Sequence, residues 1–214
     1  MFRTLRASLP IINASSTETL KAPTERDPID MLKKVGNWKV LSTDTVYENN
    51  WIRVEHHEVK TPMNTDGIYG LVCFKENAVG IIPIDHEGNT WLVKQSRYAI
   101  NETTWEIPEG GSPLGQDILA SAKRELEEET GLKAKEWKEL MQLHPSNSVT
   151  DQSATIFVAT DIFEGTQQLD TTEDIEIKKL HFAEAIEMVM KGEITDAMSV
   201  AGLLRLHLDS YSEK

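Results

Sequence analysis

The sequence predicts an α+β sandwich, a mixed sheet covered by helices. Three observations carry that expectation. Runs rich in β-branched and aromatic residues fill the stretch from Trp38 to Gly110, one strongly patterned helix follows, and helical periodicity returns near the end after further strands. In order, the β-like runs are residues 40–47, 51–59, 68–74, 78–84 and 91–97. Turn-forming Asn49-Asn50, Asn64-Thr65-Asp66-Gly67 and His86-Glu87-Gly88-Asn89 separate them. A helix is expected from Gln116 or Asp117 to Thr130, stopped by Gly131. Strands at 139–143, 154–159 and 175–181 come next, then helical segments at 183–190 and 196–208.

Composition narrows the partners. Thirty-five acidic against 22 basic side chains give a net charge of -13, so neither nucleic acid nor an anionic membrane is an expected partner. No stretch reaches the roughly 18 apolar residues that a spanning helix needs. Cys73, the one cysteine, lies in the apolar run Leu71-Val72-Cys73-Phe74 and reads as a buried, reduced thiol. Residues 1–30 stand apart. Up to Thr17 they contain Arg3 and Arg6 but no acid, which reads as a flexible tail or as a targeting segment. The expected location is therefore cytoplasmic, or organellar if that segment is a targeting peptide. The remaining chain divides into an N-terminal β subdomain, 31–76, and a main domain, 77–214.

The chemistry concentrates in the central helix, Ser121-Ala-Lys-Arg-Glu-Leu-Glu-Glu-Glu-Thr-Gly131. At about 100° per residue, Leu119, Ala122 and Leu126 form a core stripe. Glu125, Glu128 and Glu129 share one flank, while Glu127 falls on the other. Like charges one turn apart cost about 0.2–0.5 kcal/mol per pair, too little to decide between a solvated acidic face and a site for a hard divalent cation. Arg124 points away from the shared face by the same angles.

The surrounding residues decide. Gly110-x5-Gln116-x7-Arg124-Glu125-Leu126-x-Glu128-Glu129-x-Gly131-Leu132 resembles the Nudix signature, a strand-loop-helix module that binds metal and diphosphate. Trp105-Glu-Ile-Pro-Glu-Gly-Gly111 resembles the flank of family members acting on ADP-ribose and nucleoside diphosphate sugars. The resemblance implies a Nudix-type α/β/α sandwich with an added N-terminal antiparallel β subdomain. It implies metal-dependent hydrolysis of a pyrophosphate bond, giving a nucleoside monophosphate and a sugar phosphate. It also implies Mg²⁺, with Mn²⁺ possible, held by Glu125, Glu128 and Glu129 with the carbonyl of Glu109. Gly110 and Gly111 let backbone approach the substrate, and Arg124 orients ligands or loop.

Further roles follow from the same resemblance. Arg97, in Gln95-Ser-Arg97-Tyr98, is placed to meet phosphate and Glu106 to act as a substrate-side acid. Trp38 and Tyr69 occupy places where relatives stack aromatics on the base, and the N-terminal strands are where such relatives form homodimers. Two departures stand out. Gln116 replaces the signature's first glutamate, so any support it gives Arg124 lacks charge. In Leu143-His-Pro-Ser-Asn-Ser-Val-Thr-Asp151-Gln152, Gln152 stands where relatives carry a water-positioning glutamate. Gln cannot take a proton, which leaves Asp151 as the expected base, a water relayed to a helix glutamate as a second route, and His144 in reserve. House-cleaning hydrolysis of nucleoside triphosphates, or nucleotide binding without catalysis, are the alternatives.

Overall fold

A computed structural model of the chain describes residues 33–168 and 174–212, and the N-terminal extension expected at 1–30 lies outside them. The first elements are β1 (Lys34–Val35), β2 (Trp38–Glu48), β3 (Ile52–Lys60) and β4 (Asp66–Phe74). Then come β5 (Glu76–Pro83), β6 (Asn89–Arg97), β7 (Glu102–Glu106) and β8 (Glu109–Pro113), followed by helix α1 (Ile118–Thr130). The chain continues through β9 (Leu132–Leu143), β10 (Ala154–Glu164), β11 (Glu176–His181), α2 (Phe182–Lys191) and α3 (Ala197–Ser212).

The strands form three sheets. β1 to β4 make an antiparallel meander, the expected N-terminal β subdomain. The central sheet has the order β8-β5-β10-β9, with β5 and β10 parallel and the outer pairs antiparallel. The third is antiparallel, in the order β11-β6-β7.

Period-two alternation builds the sandwich. Val79 and Ile81 of β5, with Phe157 and Ala159 of β10, pack on Ala122 and Leu126 of α1. Their alternating neighbours Ile82 and Ile156 pack on the opposite side, against Leu92, Ile107 and Leu180 and against α2 and α3 through Ala185, Met198 and Leu203. The central sheet is thus covered by helix on both faces, the mixed α/β/α arrangement expected. Leu126 is fully buried, a position whose truncation to Ala costs about 2–5 kcal/mol. Among the described residues no helix is long and apolar enough to cross a membrane.

Three strands escaped the sequence reading: β1, of two residues, and β7 and β8. β7 and β8 are five residues each: the Gly and Pro of β8 have low strand propensity, whereas β7 holds the strand formers Thr103, Thr104 and Trp105 in a run too short to show alternation. They form because β6 and β5 pair with them. β9 also begins earlier than expected, directly after Gly131, and pairs along its length with β10. Helix α1 starts at Ile118: the Asp117 side chain caps it by accepting from Leu119 N at 3.0 Å, leaving Gln116 outside. Gly131 ends it at φ 70°, in the left-handed region that Gly adopts without a Cβ penalty.

Candidate active site

Helix α1 presents its glutamates unequally. Glu129 and Glu125 are buried, at 1 % and 8 % exposure, while Glu128 is half-exposed and Glu127 turns to the other flank to pair with Lys133 at 2.9 Å. Buried carboxylates require partners. Glu129 Oε2 accepts from Glu109 N at 2.9 Å, tying the helix to the first residue of β8. Glu125 lies against Gly110 so closely that a Cβ there would stand 2.1 Å from its carboxyl carbon. Ser121 Oγ and Ser112 Oγ, 2.9 Å apart, hold the same two elements together.

Arg124 is nearer to these groups than its helical angle suggests. Its long side chain turns back, donating to Glu128 Oε2 at 2.6 Å, to Glu125 Oε1 at 2.7 Å and to the carbonyl of Gly111 at 2.9 Å. It therefore orients two glutamates and the glycine strand together. Gln116 is exposed at the helix entrance, and those hydrogen bonds of Arg124 do not go to it.

A second charged group meets the first at Glu109. Arg97, at the end of β6, donates from Nε to both oxygens of Glu106 at 3.0 Å and from Nη2 to Glu106 and Glu109. Glu106 is 2 % exposed and also accepts from the Thr104 hydroxyl. Glu109 Oε2 is buried without a hydrogen-bond partner. Burial pushes the Glu109 carboxyl well above the usual carboxylate range, Asp196 adds to the rise, Arg97 opposes it, and Glu106 and Glu129 add further. Burial works against the Arg97 charge, but Glu106 and Glu109 hold its pKa above the ordinary value.

Around these groups opens a cleft of about 350 Å³. Arg97, Glu109, Gly110 and Gly111 form its polar floor with Glu76, Asn77, Gln152 and Asp196, while Trp51, Phe74, Pro145 and Met198 supply apolar walls. Other predicted residues lie elsewhere. Asp151 accepts from Phe74 N through Oδ1 at 2.8 Å and lines a separate hollow of about 530 Å³, with no lining residue in common with the cleft. Trp38 and Tyr69 line that hollow too, edge to face with ring centroids 5.6 Å apart. His144 is exposed just beyond β9. Cys73 is buried, as read, and burial first, then Asp151 and Glu55, raise its thiol pKa.

Sequence reasoning missed Trp51, Glu76 and Asp196. Trp51 is 64 % exposed, yet its backbone is pinned: its N–H donates to Asn49 Oδ1 at 2.9 Å and its carbonyl accepts from Lys75 N at 2.9 Å. A tryptophan directly after an Asn-Asn turn is a signal for such placement. Asp196, at the start of a helical run, carried a capping signal only.

The resemblance to the Nudix signature implies a divalent cation, and the donors present fit one. Hard carboxylate oxygens, an unpartnered buried Glu109 oxygen and an excess of negative charge around one arginine suit Mg²⁺-type ions. Among the described residues no three His, Cys, Asp or Glu side chains stand ready around one point. Arg124 engages Glu125 and Glu128, and Glu109 N engages Glu129, so an ion would share these carboxylates with their present partners or displace them.

Fold, signature helix and glycine strand define one class. Residues 75–198, more than half of the chain, match the NUDIX domain, and the chain belongs to that family. More particularly, residues 38–72 match the nucleoside diphosphate sugar hydrolase N-terminal domain. An ADP-ribose pyrophosphatase of Mycobacterium tuberculosis is 29% identical over 175 residues, 80% of this chain and 84% of its own length. One of Bacillus subtilis is 27% identical over 172 residues, 79% of this chain and 92% of its own. A crystal structure of an ADP compounds hydrolase matches with a TM-score of 0.75 at 20% identity, covering 85% of this chain and 98% of that one; it supports the fold alone.

Proposed function

We propose that the protein hydrolyses the pyrophosphate bond of ADP-ribose or a related nucleoside diphosphate sugar, releasing a nucleoside monophosphate and a sugar phosphate. The observation that carries this reading is the junction of α1 with β8. There, side-chain-free Gly110 and Gly111 lie between the Arg124-Glu125-Glu129 face and a cleft with one guanidinium, Arg97. Its similarity to two ADP-ribose pyrophosphatases across most of the chain supports the same substrate class.

Each group has work suited to its position. Arg97 offers positive charge to the diphosphate while Glu106 fixes its guanidinium plane. Arg124 aligns Glu125 with Glu128 and braces the Gly111 carbonyl, and Glu129 holds the β8 backbone through Glu109 N. Trp51 and Phe74 offer aromatic faces on the cleft wall to a base. Gln152, on the cleft, can hydrogen-bond a water but cannot accept its proton. Mg²⁺, or Mn²⁺, held by Glu125, Glu128 and Glu129 with Glu109, would neutralise the diphosphate and acidify a bound water.

The test is a panel of ADP-ribose, ADP-glucose, GDP-mannose, UDP-glucose and nucleoside triphosphates, incubated with Mg²⁺ or Mn²⁺ and resolved by product. AMP plus ribose 5-phosphate is the expected outcome with ADP-ribose. Turnover confined to triphosphates, or to none of these compounds, would refute the reading. The exposed Leu41, Val46, Tyr47 and Ile68 of the N-terminal sheet support a homodimer as the working form, testable by light scattering.

A further inference from the structure

Beside the cleft, on the far side of Arg97, lies a second recess of about 260 Å³. It shares Arg97, Glu109 and Asp196 with the cleft, so the two adjoin along these three residues. At about 30 Å³ per water the recess holds on the order of eight waters, enough for a single sugar ring. Its remaining polar lining is Thr104, Glu106 and Thr195.

These groups are not equally available. Glu106 is saturated by Arg97 and by the Thr104 hydroxyl, which commits both residues. Asp196 caps α3 with one oxygen only: Oδ2 accepts from Ser199 N at 2.8 Å, and its backbone carbonyl accepts from Val200 N at 2.9 Å. Oδ1 has no hydrogen-bond partner among the described residues, and neither has the hydroxyl of exposed Thr195. The rim thus offers a carboxylate oxygen that can only accept and a hydroxyl that can do both. Vicinal hydroxyls match that pair. A further phosphate does not, because the recess lacks the glycine backbone and the Asn77 and Gln152 amides of the cleft, and its one cation, Arg97, is already shared with the diphosphate and faces Asp196, Glu106 and Glu109.

We propose that this recess receives the polyhydroxyl half of the substrate, and that Asp196, assisted by Thr195, selects an uncharged sugar there over a further phosphate. The inference rests on the pyrophosphatase reading and adds the direction in which the substrate lies: diphosphate at Arg97 and Gly110, sugar beyond Arg97, base toward Trp51.

Asp196→Asn is the informative change, since Asn caps a helix about as well as Asp and keeps α3 in place. kcat and KM are measured for ADP-ribose and for the β-methyl ester of ADP, which has the diphosphate diester but no sugar. The ratio of their kcat/KM values is expected to fall at least tenfold in Asp196→Asn, through KM, and severalfold in Thr195→Val. An equal loss on both substrates, or an unchanged ratio, overturns the proposal. If the wild type cleaves neither compound, the pyrophosphatase reading has failed, and calorimetric binding of ADP-ribose against the β-methyl ester of ADP decides the recess separately. Loss of the extra affinity for ADP-ribose in Asp196→Asn then upholds it, and retention overturns it. A melting temperature within a few degrees of wild type confirms that α3 has kept its cap.

Discussion

Gly110→Ala tests the junction of helix and strand with a single methyl group. Gly110 is not among the residues at positive φ, so its backbone accepts alanine and only the new Cβ matters. That atom would stand 2.4 Å from both Glu125 carboxylate oxygens, whereas ordinary contact begins near 3.4 Å. The carboxylate must retreat by about 1 Å, and misplacement of that size costs about 100-fold in rate when the group positions the reaction. Retreat also breaks the 2.7 Å hydrogen bond from Arg124 and strains a buried side chain. Overpacking of this kind costs about 1–3 kcal/mol, or about 2–12 °C in melting temperature for a chain of this size. Steady-state kinetics on ADP-ribose with saturating Mg²⁺, beside a melting curve, read both effects. Gly111→Ala is the comparison: its Cβ would stand 2.0 Å from Glu76 Oε2 and 3.0 Å from Glu76 Cδ, but that is the end of one partly exposed side chain that can swing away, so it loses less than tenfold. Gly110→Ala with more than a tenth of wild-type kcat, or Gly111→Ala equally damaged, would refute the reasoning.

Arg97→Ala strands Glu106 and Glu109 in the interior, and urea titration is expected to show a loss of about 3–5 kcal/mol, with Arg97→Leu/Glu106→Gln regaining part of it. Gln152→Glu puts a proton acceptor on the cleft, whereas Asp151 is engaged with Phe74 N outside it; kcat should rise at least tenfold in Gln152→Glu and change less than threefold in Asp151→Asn. For pH, burial raises the pKa of Asp85 but is outweighed by Lys179, the Asn89 side chain and the backbone N–H groups of Asn89 and Glu87, so its folded pKa is depressed. Its contribution is present above the unfolded value of about 3.9 and is lost as pH falls below it. Melting temperatures from pH 7 to pH 2 should show a shallower acid slope in Asp85→Asn, with about 2 kcal/mol less stability at neutral pH.

What the sequence could reveal followed from periodicity. The 3.6-residue repeat separated Glu125, Glu128 and Glu129 from Glu127, and the alternation of β5 and β10 marked both faces of the central sheet. What stayed hidden depends on contacts between distant segments. The angle of Arg124 on the helix is fixed by local geometry, but its long side chain finds Gly111 and two glutamates only after β8 has docked. Asp151 and Gln152 are neighbours whose side chains diverge, and pairing with β4 decides which one reaches the cleft. Trp38 and Trp51 are equivalent as residue types; the Asn49 turn and Lys75 carry the second one to the cleft wall. Asp196 reads as a helix cap, and only the approach of α3 to Glu109 and Arg97 makes it part of the lining of the cleft and the recess.

The central claim is that Glu129, buried at 1 % exposure and joined to the glycine strand through Glu109 N, belongs to a working hydrolytic site. Its direct test is single-turnover hydrolysis of ADP-ribose by wild type and by Glu129→Gln, whose carbonyl oxygen can still accept from Glu109 N. The account predicts AMP and ribose 5-phosphate from the wild type and a rate at least 100-fold lower from a folded Glu129→Gln. A variant that cleaves ADP-ribose at the wild-type rate would contradict it.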